Sequence, residues 1–80
     1  MKTPRNLTGR ELVCLLATYG YSITRQSGSH IRLSTEQNGV HHITIPDHNP
    51  LSIGTLSSIL NDIALHFDIS KKDLSKHIFE

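Results

Sequence analysis

YSITRQSGSHIRLSTEQNGVHHITI, residues 21–45, is the stretch that decides the fold. It holds three runs in which apolar and polar residues alternate, the pattern of strands with one buried face. Residues 21–25 put Tyr21 and Ile23 on one side, residues 29–35 put Ile31 and Leu33 there, and residues 40–45 put Ile43 and Ile45 there. Gly28 and the pair Asn38-Gly39 punctuate the runs as hairpin turns. Register follows from matching apolar to apolar across each hairpin. A three-residue loop Gln37-Asn38-Gly39 sets Leu33 opposite Ile43 and Arg32 opposite Thr44, whereas a two-residue loop would oppose Leu33 and Thr44. The same test on the first hairpin favours a loop Gln26-Ser27-Gly28, with Ile31 opposite Ile23 and His30 opposite Thr24.

Upstream, residues 1–7 read as a lead-in arm, and Thr8-Gly9-Arg10-Glu11 has the form of a capping box opening a helix. Leu12, Leu15, Leu16 and Tyr19 recur at helical spacing, Leu7 can staple onto the first turn, and Gly20 is a natural stop. Downstream, Pro46-Asp47-His48-Asn49-Pro50 is a stiff loop. A second helix starts near Ser52 with the stripe Ile53, Leu56, Ile59, Leu60, Ile63 and Phe67. Ser70-Lys71-Lys72-Asp73 caps a short last helix carrying Leu74 and Ile78.

Each element has one apolar face, so both main helices are expected on the sheet face bearing Ile23, Ile31, Leu33, Ile43 and Ile45. The other face stays open and displays Ser22, Thr24, His30, Arg32, His42 and Thr44. The expectation is an α+β fold of α-β-β-β-α order, with a three-stranded antiparallel sheet and a short extra C-terminal helix. Double-stranded RNA-binding domains share that order, which by itself is an analogy for function.

The chain has 80 residues, which suits one domain over residues 1–80. A domain of this size buries roughly 60% of the surface its unfolded chain exposes, which leaves no room for a deep substrate cavity. The hydrophobic share of 36% and charged share of 19% fit a folded soluble domain. A net charge of +1 says little about partners, but six histidines are notable, because imidazole gains charge just below neutral pH. The lone Cys14 allows no internal disulfide and no structural zinc site on its own. The longest apolar run is far short of a membrane span, and there is no signal-peptide core, so the default is a cytoplasmic protein without membrane association.

The run Arg25-Gln26-Ser27-Gly28-Ser29-His30 resembles the signature of HicA toxins, the ribonuclease halves of HicA–HicB toxin–antitoxin pairs. Leu7-Thr8-Gly9-Arg10-Glu11-Leu12 is similar to the family's opening, and Thr44-Ile45-Pro46-Asp47-His48 to its third strand and following loop. Gly54-Thr55-Leu56 with Ile59-Leu60 is similar to the start of its second helix. Beyond shorter members, this chain runs on through Ala64-Leu65-His66-Phe67 and residues 71–80. The resemblance implies a double-stranded RNA-binding-like fold and a type II toxin that cleaves mRNA and blocks translation. It also implies a HicB-type antitoxin as inhibitor, with the toxin a monomer alone and a hetero-oligomer with its antitoxin, and no metal or other cofactor. The family's catalytic histidine follows Gly-Ser on the second strand, which is His30 here.

The chemistry suits that residue. RNA carries its own nucleophile, the 2′-hydroxyl, so the enzyme need only move a proton and steady charge on the phosphorane. An imidazole titrating near ~6.5 can transfer protons at neutral pH, and such help is worth on the order of 10²–10⁴ in rate. Arg32 points from the same face and can pair with phosphate oxygens. Gly28, followed by Ser29, lets backbone approach a substrate closely. His42 shares the open face and reads either as a second acid–base group or as a passive polar residue. His48 reads either as a phosphate contact or as a cap for the adjacent helix. Gly28, Ser29, Arg32, His42 and His48 are therefore the candidate substrate contacts around His30. His41 should point to the helical side and be structural. Since it and His42 face opposite ways, the histidines do not read as a metal site. Ser52 and Thr55 read as caps, Lys71, Lys72 and Lys76 as solvated charges, and Cys14 as a small packing or interface residue. The competing reading is a non-catalytic RNA-binding module of the same fold, and after it a protein-interaction domain that binds only the antitoxin.

Overall fold

A computed structural model describes residues 6–80, so the first five residues of the expected lead-in arm lie outside the described residues. Helix α1 spans Gly9–Leu16 and tightens into a 3₁₀ turn over Ala17–Tyr19. Strands β1 (Ser22–Ser27), β2 (His30–Thr35) and β3 (His41–Pro46) follow, then helices α2 (Ile53–Phe67) and α3 (Lys71–Phe79). The element order is the expected one.

Thr8 and Glu11 close the capping box reciprocally. The Glu11 amide donates to Thr8 Oγ1 at 3.1 Å, and the Thr8 amide donates to Glu11 Oε1 at 2.9 Å. Leu12 and Leu16 turn fully inward, while Leu15 and Tyr19 are only partly covered. Gly20 ends the segment at φ +80°, in the left-handed region. Gly9 is required for a different reason. A Cβ built there would lie 2.0 Å from the Pro46 carbonyl oxygen, so the start of α1 presses directly on the exit of β3. The Gly9 amide donates to the His48 carbonyl at 2.9 Å.

The sheet is antiparallel in the order β1-β2-β3. On the second hairpin Leu33 pairs with Ile43 and Arg32 with Thr44, the expected register, though the ladder closes one step earlier at Thr35 and His41. The first hairpin differs. Ser27 pairs with His30, Gln26 with Ile31 and Arg25 with Arg32, leaving a two-residue turn, Gly28-Ser29. Gly28 stands at φ +58° and Ser29 is not in the positive-φ region, as a type II′ turn requires. The register then shifts between Ile23 and Arg25, a bulge at Thr24, which brings Ile23 opposite Leu33 instead of Ile31. Ile23 is therefore on the helical side but 48% exposed, because β1 is an edge strand and the helices pack mainly over β3.

Ile31, Leu33, Ile43 and Ile45 line the covered face with Leu12, Leu16, Leu56, Leu60, Ile63 and Leu74 as one core. Ser52 caps α2 by accepting from the Thr55 amide at 3.1 Å, and Ser70 caps α3 by accepting from the Asp73 amide at 3.0 Å. Ile53, expected on the α2 stripe, lies in the first turn and stays 50% exposed. Helix α3 seats Leu74 and Ile78 against the core. No helix among the described residues is long and apolar enough to cross a membrane.

Candidate active site on the open sheet face

His30 begins β2, with Ser27 as its neighbour on one side and Pro46 on the other. Alternation along β2 sends Ile31 and Leu33 into the core and leaves His30 and Arg32 exposed on the opposite face. There His30 lines a shallow depression of about 150 Å³ with Arg25, Ser27, Arg32 and Thr44. Arg25 and Arg32 are direct cross-strand partners on this face. Like charges so placed repel, and no carboxylate lines the depression to offset them. The nearest acid of the following loop, Asp47, is already taken: its Oδ2 pairs with Arg10 at 3.3 Å. Arg10 also donates to Gln26 Oε1 at 3.0 Å. A histidine beside a facing pair of unneutralised guanidiniums can bind an oxyanion and move a proton next to it.

Backbone contacts hold this corner. The Asp47 amide donates to the Ser29 carbonyl at 2.6 Å, tying the Gly28-Ser29 turn to the loop after β3. A Cβ on Gly28 would meet nothing within 4 Å, so the outer side of the turn is open to an approaching strand.

The other candidate residues are spread more widely. Gly28, Ser29 and Arg32 belong to the His30 corner. His42 shares the face but pairs with Ser34, four residues along β2 from His30 and so about 13 Å away. Its Nδ1 is hydrogen-bonded to the Ser34 hydroxyl. His48 is exposed in the loop two residues past Pro46, with its carbonyl accepting from Gly9.

His41 points to the helical side, as expected. It shares a 2.6 Å hydrogen bond with the Tyr21 hydroxyl and reaches Asp62 Oδ1 at 3.3 Å. Its ring stacks on His66 with centroids 4.4 Å apart. Burial, with Asp62 behind it, pushes the Tyr21 phenol well above the usual tyrosine range. Among the described residues no three His, Cys, Asp or Glu side chains converge as metal ligands. Ser52 and Thr55 bond to each other at the start of α2, Lys71 is held by the Ser57 hydroxyl, and Cys14 is exposed.

Arg25 and Ser27 are the site residues that sequence reasoning missed. Uninterrupted alternation from Tyr21 puts Arg25 on the helical side; the bulge at Thr24 turns it to the open one. The signal was present in Gly28-Ser29, since glycine at the first central position is the mark of a two-residue type II′ turn.

A family model described as HicA toxin of bacterial toxin-antitoxin matches residues 9–65, well over half of the chain and every element that builds this face. No curated protein and no solved structure matches the chain.

Proposed function

The chain belongs to the HicA toxin family of bacterial toxin–antitoxin systems, and from that premise we propose that it is an endoribonuclease whose open sheet face holds and cuts mRNA. The observation that carries this reading is the exposed His30 sharing one depression with Arg25 and Arg32, two facing cations with no acid among the described residues that line it. RNA lies across the face by its phosphates, and the two guanidiniums bind the oxygens of the scissile one. His30 takes the proton of the adjacent 2′-hydroxyl as that oxygen attacks phosphorus. The phosphorane's charge falls on Arg25 and Arg32. The 5′-oxygen leaves with a proton from solvent, which the shallow face admits, and a 2′,3′-cyclic phosphate remains. No water has to be activated as a nucleophile, so the step works without a metal or cofactor. Gly28 and Ser29 border the approach path, while His42 and His48 act as outlying contacts to the same strand.

In this reading the protein is the toxin of a type II pair, acts on mRNA in the cytoplasm and blocks translation. A toxin of this family has an antitoxin partner; we take it to be HicB-type, binding the otherwise monomeric toxin as a hetero-oligomer over the whole domain, residues 1–80.

The experiment is RNA decay by purified wild type and His30→Ala, both in excess chelator, with folding checked by thermal melting. Expected are loss of cleavage by about 10²–10⁴ at unchanged melting temperature, and 2′,3′-cyclic phosphate ends from wild type. Cleavage by the folded variant at the wild-type rate removes His30 from the chemistry. RNA that wild type binds with salt dependence but leaves intact makes the protein a binding module instead.

A further inference from the structure

The open face carries a second, larger depression that the cleavage step does not use. It has a volume of about 360 Å³ and lies at the far end of β2 from His30. That volume is at the small end of the range for small-ligand sites, roughly 300–1,000 Å³. Its lining includes Ser22, Thr24, Ser34, Glu36, Val40 and His42.

The two depressions differ in kind. The first has two guanidiniums and no acid; the second has the Glu36 carboxylate and neither Lys nor Arg. A phosphate is drawn to the first and repelled from the second. What the second offers is an apolar contact, a planar ring and acceptor oxygens. Val40 is 65% exposed, projecting an isopropyl group beside the opening. The His42 ring is fixed through Nδ1 by the Ser34 hydroxyl, which leaves its faces and Nε2 available. Thr24 already uses its hydroxyl hydrogen on the Arg32 carbonyl at 3.4 Å, so it presents lone pairs rather than a donor, whereas the Thr35 hydroxyl is buried and engaged by the Tyr19 carbonyl and the Gln37 amide. Glu36, ionised, can only accept. An acceptor-rich, apolar-edged pocket beside a phosphate-binding corner suits the neutral, flat part of a nucleotide that has N–H groups to give.

We propose that this depression is a base-recognition subsite of the same RNA-binding face, taking an unpaired guanine that flanks the cleavage position. It rests on the reading of the open face as the RNA-binding surface. Guanine is the base whose Watson–Crick edge carries two adjacent donors, N1–H and N2–H, which a carboxylate accepts in parallel. Uracil offers one N–H between two carbonyls, and those carbonyls meet acceptors here. The base stacks against His42 and Val40 as single-stranded RNA stacks on protein rings. The separation of about 13 Å between His30 and His42 places this base on a neighbouring nucleotide, not the one that is cut.

The test is binding, so it does not depend on cleavage. The His30→Ala protein is titrated with four fluorescent RNA oligomers of eight residues, identical but for one central base in an otherwise adenine-free, guanine-free sequence. The guanine oligomer is expected to bind tightest, by roughly 5- to 150-fold over uracil, the span of one good bidentate base contact. Adding Glu36→Gln removes that preference while leaving the uracil oligomer's affinity unchanged. Adding Val40→Ser weakens all four about equally. Equal binding of the four oligomers, or a guanine preference that survives Glu36→Gln, overturns the proposal. If guanine is preferred through Glu36 yet the wild type cuts no RNA, the subsite stands and the ribonuclease reading fails. If RNA is cut but with no base preference, the reverse holds.

Discussion

The tightest test of this architecture is one substitution made at two glycines. At Gly9 an alanine methyl would sit 2.0 Å from the Pro46 carbonyl oxygen and 3.2 Å from the Asp47 Cα. Both are main-chain atoms, so relief needs α1 and the loop after β3 to move apart by about 1.4 Å or more, from 2.0 Å to the 3.4 Å at which ordinary contact begins. Such a shift stretches the Gly9–His48 hydrogen bond of 2.9 Å and, through Asp47, the 2.6 Å bond to Ser29. Forcing an extra methyl into packed surroundings costs about 1–3 kcal/mol, and weakening one backbone bond adds about 0.5–1.5 kcal/mol. Gly9→Ala should therefore destabilise by about 2–4 kcal/mol, and at roughly 4–8 °C per kcal/mol for a domain this small its melting temperature falls by at least about 8 °C. At Gly54, in the first turn of α2, the same methyl meets nothing within 4 Å. There it only narrows the unfolded ensemble, and stability rises by about 0.4–1 kcal/mol. Urea titrations of wild type and the two variants measure both. Equal stability of Gly9→Ala and wild type refutes the close approach of α1 to β3, whatever Gly54→Ala does.

Three further outcomes are expected. Arg25→Ala and Arg32→Ala each weaken RNA binding and flatten the log-affinity against log-salt slope by roughly 0.7, since each removes one phosphate contact on a single strand. Each also stabilises the free protein by about 0.2–1 kcal/mol by ending the cross-strand repulsion, a gain read in the same urea titration; a loss of stability would contradict their pairing. The phenol of Tyr21, raised by burial and by Asp62, stays protonated in the folded state above the pH at which the unfolded chain ionises. Its stabilising effect is complete below pH ~10 and is lost as pH rises beyond it, at up to about 1.4 kcal/mol per pH unit. The melting temperature therefore falls between pH 9 and 11, and Tyr21→Phe, though weaker at pH 7 by the lost bond to His41, shows a shallower fall. Gly28→Ala costs roughly 1–3 kcal/mol, because at φ +58° it holds the first central position of a type II′ turn, which side chains other than asparagine and aspartate rarely adopt, and Gly28→Asn costs less; equal losses in thermal melts argue against the turn geometry.

Most of the layout is legible in the residue pattern because each determinant is local. Thr8 and Glu11 announce the first helix, Ser52 and Ser70 the other two, and the match of Leu33 to Ile43 sets one hairpin. What escapes is the first hairpin, where two local rules compete. Apolar matching favours Ile23 opposite Ile31, while Gly28 followed by Ser29 favours a two-residue turn. The chain satisfies the turn and absorbs the mismatch in a bulge at Thr24. Apolar matching has little force here because Ile23, on an edge strand, gains little burial from either register. His30 reaches the open face under both registers, so it is found from sequence, whereas Arg25 reaches it only under the observed one. The second depression is invisible in sequence because Gly20, Glu36 and His42 meet only through folding.

The corner that presents His30 is anchored by two backbone hydrogen bonds, Gly9 to His48 and Asp47 to Ser29. Neither bond involves a side chain at positions 29, 47 or 48, so exchanging those side chains leaves both links intact. The anchor thus leaves the exposed positions 29 and 48 free to be retuned without disturbing the imidazole's placement, while Asp47 stays committed to its ion pair with Arg10. A library randomised at 29 and 48 is for that reason a good place to alter what this face recognises while keeping how it is built.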